Sequence, residues 1–158
     1  MIEAIRGRRH VALALLCVVI VACTQEPASE EGLARGTLTI ERDRGPLEVP
    51  VEIAETTEEQ ARGVIGRDGL HENGGMVFSN PEPQQVGFTM DGVTFDLSLA
   101  VWGPEGRILS IIDMEACPEG GCRGYDPGAA WTGAVEVNQR FFEEHGVKVG
   151  DRVRLERP

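Results

Sequence analysis

The chain has 158 residues, 41% of them hydrophobic, and carries 26 acidic against 15 basic side chains, a formal net charge of −11. This length suits one domain, and an acid excess of this size argues against nucleic acid or anionic lipid headgroups as partners of the surface. The charge is read as a solvated face that keeps the domain soluble, with a cationic ligand or partner as the other use.

In chain order, the first segment is a processing signal and is set aside before the fold is considered. Arg6, Arg8 and Arg9 precede an unbroken apolar run over 11–21, shorter than the roughly twenty residues a permanent bilayer span needs. Residues 1–22 therefore read as a signal peptide, with Cys17 lost along with it. The sequence I-V-A-C over 20–23 resembles the lipobox of bacterial lipoproteins, which makes Cys23 the lipidated residue and the membrane a partner through that lipid. An ordinary secretory signal or an uncleaved anchor is the alternative. Two or more acyl chains hold a protein stably on a bilayer, so the domain itself need not contribute to anchoring. By the same resemblance, Thr24 in place of Asp directs the protein to the periplasmic face of the outer membrane in a Gram-negative cell. Removing Glu3, Arg6, Arg8 and Arg9 with the leader leaves 25 acidic and 12 basic residues, a formal net charge of −13. Residues 23–36, rich in Pro, Ser, Gly and Glu, read as a flexible tether, and 37–158 as the folded domain.

Alternation predicts strands over 37–40 and 49–54 with Gly45-Pro46 turning between them, and Pro50 suits a sheet edge or a strand start. Over 56–66 Thr56 and Glu59 have capping-box spacing, so a short helix is expected, followed by a turn-rich loop over 67–75. Further strands are predicted over 76–79, 86–90, 95–102, 107–112 and 132–138, with a hairpin-type turn at Pro104-Glu105-Gly106. A short helix over 139–145 and a last strand over 152–156 complete the chain. Many short strands at this spacing specify a mainly β domain, a compact β-sandwich or small barrel with one or two short helices.

Cys117 and Cys122 are spaced C-P-E-G-G-C, and in an exported chain they are expected to form a disulfide; a reversible redox pair or a metal site is the rival reading. Metal is disfavoured because only His71 and His145 remain as imidazole ligands outside the leader, far apart in sequence. Met76, Met90 and Met114 could offer thioethers to monovalent copper, but each sits in a β-patterned apolar stretch and is assigned to the core. No nucleophile elbow, phosphate-binding glycine loop, zinc pair or calcium loop is present, so neither a catalytic residue nor a cofactor is assigned.

The order of short motifs is itself distinctive. V-E-I-A-E-T from Val51, E-Q-A-R-G-V-I-G-R from Glu59 and L-H-E-N-G-G-M-V-F from Leu70 are followed by F-T-M from Phe88 and F-D-L from Phe95. E-A-C-P-E-G-G-C-R-G-Y-D-P from Glu115, A-V-E-V-N from Ala134 and G-V-K-V-G-D-R-V from Gly146 continue the series. Together they resemble the family called domain of unknown function 192 (DUF 192) over about 49–155. The resemblance implies a compact, mostly β fold, frequent export or lipid anchoring, and no assigned activity. The chain departs from the family's usual pattern over 89–96, where Lys and Asn are replaced, while Asp96 is retained. The polar positions that match family motifs are Arg62, Arg67, Asn73, Asp96, Tyr125, Glu136 and Asn138.

Asp96 between Phe95 and Leu97, and Glu136 among Val135, Val137 and Asn138, interrupt apolar strands. Each is either half of a structural pair with an arginine or part of a polar pocket in which Arg62 or Arg67 binds an anionic group and Asp96 or Glu136 orients it. The leading expectation is a non-enzymatic envelope module that binds a small ligand, a glycan or another envelope protein. An envelope-acting hydrolase or transferase using Asp96 and Glu136 as paired carboxylates is the second, and a purely structural domain the third.

Overall fold

The computed structural model describes residues 32–157; the expected leader, Cys23 and most of the expected tether lie outside them. Nine strands and two short helices follow in order: β1 (Ala34–Glu41), β2 (Leu47–Ala54), α1 (Thr57–Arg62), β3 (Gly75–Gln84) and β4 (Phe88–Thr89). Then come β5 (Leu97–Trp102), β6 (Ile108–Met114), β7 (Gly124–Tyr125), β8 (Trp131–Asn138), α2 (Phe141–His145) and β9 (Arg152–Glu156). Seven strands form one sheet in the order β6-β5-β8-β3-β2-β1-β9, and β4 pairs with β7 in a second, two-stranded sheet. The large sheet curls into a half-barrel until its first and last strands touch at one corner. There Ile108 N–H donates to Asp151 O at 2.9 Å and Val153 N–H to Gly106 O at 2.7 Å. The fold is mainly β, as expected, and of the barrel kind in its curvature.

Every pairing in the large sheet is antiparallel except β2 with β3. A parallel pair cannot be joined by a tight turn, so segment 55–74 must cross over a face of the sheet. The crossover contains α1. Its capping box forms as the spacing predicts: Glu59 N–H donates to Thr56 Oγ1 at 3.2 Å, and Thr56 N–H to Glu59 Oε2 at 2.9 Å. The helix stops at Arg62, short of the expected 66, because Gly63 leaves the helical region with φ 48° and its N–H closes the last turn on Glu59 O. Pro50 lies inside β2, an interior strand. The β2–β3 ladder begins only at Val51, so the missing N–H of Pro50 falls outside it.

Both faces of β5, the strand next to the β6 edge, are buried, which explains why it reads as a continuous apolar run and not as an alternation. On the concave side Leu38, Ile40, Val51, Val77, Val135 and Val137 pack against Phe141 and Phe142 of α2. On the other side Met76, Phe78, Leu97, Leu99 and Met114 pack beneath Val64 of the crossover and Tyr125 of the small sheet. Met90 joins this second core, so all three methionines of the domain are packing residues. β8 has two faces of small residues where the packing is tightest: Gly133 pairs with Trp102, whose indole lies where a Cβ would be, within 2.2 Å of it.

Candidate functional site

Strand alternation directs Val135 and Val137 of β8 to the concave core, and therefore sends Glu136 to the opposite face. Its cross-strand neighbours there are Met76 on β3 and Leu99 on β5, both apolar. Glu136 is only 5% exposed, and among the described residues its Oε2 has no hydrogen-bond partner. Burial pushes its pKa up to about 8, and no neighbouring charge or hydrogen bond counters that shift. A carboxyl in this condition is costly to the fold, which is the usual mark of a site and not of a structural pair.

Glu136 lines a cleft of about 260 Å³ between the crossover and the segment leading into β4. One wall is the stretch 60–65. It is held down by Gln60, whose Nε2 donates to Ser79 O at 3.2 Å and Ala54 O at 3.3 Å. The other wall is 86–89, fixed by the Trp131 indole N–H, which donates to Val86 O at 3.1 Å. Phe78, Phe88 and Trp131 supply a continuous aromatic lining: the first two rings meet edge-on with centroids 5.8 Å apart, and the last two are tilted at 5.2 Å. Ile65 and Val86 line the same cleft yet are 46% and 53% exposed, so its mouth is apolar as well.

Of the seven polar positions singled out in the sequence, this cleft brings together two, Glu136 and Arg62, the latter exposed at its edge. Arg67 lies elsewhere, ion-paired with Glu52 in a concavity of about 440 Å³ against β1 and β2. That concavity is larger, but the charges lining it include a pair that satisfies itself. Asp96 is exposed, and its Oδ1 accepts from Ala116 N–H at 2.7 Å; it does not line the Glu136 cleft. Asn138 Nδ2 donates to Leu70 O at 3.3 Å and His71 O at 3.1 Å, tying the end of the crossover to β8. Tyr125 OH accepts from Glu115 N–H at 2.9 Å, with the Arg123 guanidinium 4.7 Å above its ring. Asn73 is exposed in the turn before β3, where its N–H donates to His71 Nδ1 at 3.4 Å.

Cys117 and Cys122 form a disulfide. The loop it closes is stitched to the neighbouring segment by Gly92 N–H to Cys117 O at 3.1 Å and Cys117 N–H to Val93 O at 2.9 Å, and Val93 lines the cleft. Among the described residues no cluster of three or more His, Cys, Asp and Glu is placed to hold a metal ion. Sequence reasoning singled out the acid but not its aromatic surround. Phe78, Phe88 and Trp131 come from three separate strands, and nothing local to any of them signals a shared wall.

Fold and site together define a half-barrel β domain with an apolar cleft, closed by a crossover, over one buried acid. The model of the family described as DUF192, Uncharacterized ACR, matches residues 38–155, and the chain belongs to that family. None of the curated proteins matches it. Among solved structures it is similar to a protein of unknown function from Novosphingobium aromaticivorans, with 25% identity and a TM-score of 0.72 over 80% of this chain and 89% of that one. It is similar in fold to a Sinorhizobium meliloti protein whose description proposes a transcription regulator, with 22% identity and a TM-score of 0.72 over 80% of this chain and 97% of that one.

Proposed function

We propose that the chain is an exported lipoprotein, anchored through lipid on Cys23, whose β domain binds a small ligand in the cleft over Glu136 and catalyses no reaction. The observation that carries the binding role is the buried Glu136 carboxyl, whose Oε2 is unpartnered among the described residues and which lines an aromatic cleft. Such a group costs the fold stability and is offset when a ligand supplies the missing hydrogen bonds. The hydrolase reading needs a second carboxyl in the same cleft, and Asp96 is engaged by the Ala116 amide outside it. Anchoring is supported by the apolar run over 11–21 and its junction with Cys23.

Two experiments test the two halves of this reading. Cys23→Ser should move the processed protein from the membrane to the soluble periplasmic fraction; membrane retention of processed mutant protein refutes lipid anchoring. For the cleft, Ala61→Phe places a ring on an exposed α1 position that lines it, filling it without altering any residue of the sheet. Small ligands that perturb the Trp131 indole resonance of the wild type should not do so in this variant. Unchanged binding places the ligand elsewhere.

A further inference from the structure

The cleft over Glu136 also specifies the chemistry of what enters it. Its volume of about 260 Å³ falls just below the roughly 300–1,000 Å³ of sites for drug-sized ligands, so the ligand is compact. Its walls are apolar and aromatic, with Val64, Ile65, Val86 and Val93 beside the three rings, so the ligand's body is apolar too. At the buried end stands an acid whose Oε2 receives no donor from any described residue. A carboxyl in a cleft lined by three aromatic rings calls for a group that brings several donors and favours the electron-rich side of an aromatic ring. An ammonium group has three donors, no acceptor, and is drawn to such rings.

We infer that the cleft takes a compact apolar primary amine whose ammonium group seats against Glu136 between the rings of Phe78, Phe88 and Trp131. This rests on the cleft being a ligand site, as proposed above. The charges around Glu136 are few. On the sheet its neighbours Met76 and Leu99 are neutral, and Glu52, one strand beyond Met76 on the same face, is paired with Arg67. The crossover contributes one charged lining residue, Arg62, at the solvent-exposed edge where water screens it. The amine therefore points inward and the apolar body outward, toward Ile65 and Val86. The acid excess of the whole chain adds a long-range attraction for cations.

Because burial raises the pKa of Glu136, the empty cleft holds a neutral carboxyl at pH 7, and seating an ammonium ion expels its proton. Amine affinity should then climb about tenfold per pH unit from 6 to 7 and flatten above about 8. The test is a titration of the full chain with benzylamine, benzyl alcohol and benzoate, followed by the Trp131 indole resonance at pH 6, 7 and 8. Benzylamine should bind at least about tenfold tighter than the alcohol at pH 8, a gain of the size expected for a charge-assisted hydrogen bond. Glu136→Gln should bring the amine down to the alcohol's level and abolish the pH dependence. Equal binding of amine and alcohol, or amine binding indifferent to pH, overturns the inference while leaving the cleft a ligand site. If none of the three binds the wild type, or if Ala61→Phe leaves their binding unchanged, the ligand-site reading falls and the inference with it.

Discussion

Replacing Glu136 by Gln removes an ionisable group while keeping its shape, so it isolates what burying the acid costs. The ordinary carboxyl pKa of 4.5 applies in the unfolded chain, and burial raises it to about 8 in the fold. Between those values the native state holds a proton that the unfolded state releases, so wild-type stability falls as pH rises. Each pKa unit of difference corresponds to about 1.4 kcal/mol, which makes the loss about 3 kcal/mol at pH 7 and about 5 kcal/mol above pH 8. Against a total stability of roughly 5–15 kcal/mol for a domain, that is a large fraction. Glu136→Gln, which cannot ionise, should escape the whole of it. Urea denaturation of wild type and variant across pH 4 to 9 reads the difference directly, and subtraction removes every other titrating group. Near pH 4 the two proteins should agree within about 1 kcal/mol, since a neutral carboxyl and an amide make similar demands for hydrogen bonds. The variant's advantage should then widen with pH and level off past about 8. A difference that does not change with pH would refute the claim that Glu136 is buried without a partner.

Three other perturbations address how the cleft is held. Asn138→Ala removes both hydrogen bonds to the carbonyls of Leu70 and His71. It should cost about 1–2 kcal/mol and speed hydrogen exchange over 67–74, while exchange in β5 and β8 remains slow; unchanged exchange in the loop would show that Asn138 does not tether it. Gly133→Ala drives a methyl into the Trp102 ring and should cost about 1–3 kcal/mol, seen as a lower urea midpoint with the slope preserved; wild-type stability would mean that the ring yields freely. Cys117→Ser with Cys122→Ser opens a short loop and should cost about 2 kcal/mol in the chain-entropy model. Wild type in reductant should reproduce that loss, and an oxidised wild type no more stable than the double variant would assign the bridge no role in stability.

What the sequence made legible was what is local in the chain. The Thr56–Glu59 capping box depends on residues three apart, and the turn at Gly45 closes through its own N–H on Arg42 O. β7 has two residues, and its pairing of Tyr125 with Phe88 leaves no pattern to read. Strand order was hidden for a related reason: β3 lies between β2 and β8, and only the latter partner is distant in the chain. Asp96 and Glu136 looked alike as acids among hydrophobes. They differ because β5 begins at Leu97, leaving Asp96 in the approaching loop with an amide to satisfy, while Glu136 is paired inside β8 on both sides. Arg62 and Arg67 are separated by a turn that sends one to the cleft and the other to Glu52. Spacing alone cannot distinguish such fates, because each depends on a partner brought from far along the chain.

The single parallel pairing, β2 with β3, divides the labour of the domain. The floor of the cleft belongs to the sheet, where Phe78 and Trp131 are also part of a buried core. The wall over 60–65 belongs to a strap whose helix has six residues, none of them buried, and is far too short to stand alone. Its shape rests on the Thr56 cap, the reach of Gln60 and the anchor of Val64, and beside those fixings Ala61, Arg62 and Ile65 line the opening. Substitutions at these three positions alter the mouth of the cleft and leave the strands untouched. A domain built this way can keep its acid and its frame while its descendants acquire different tastes, one strap residue at a time.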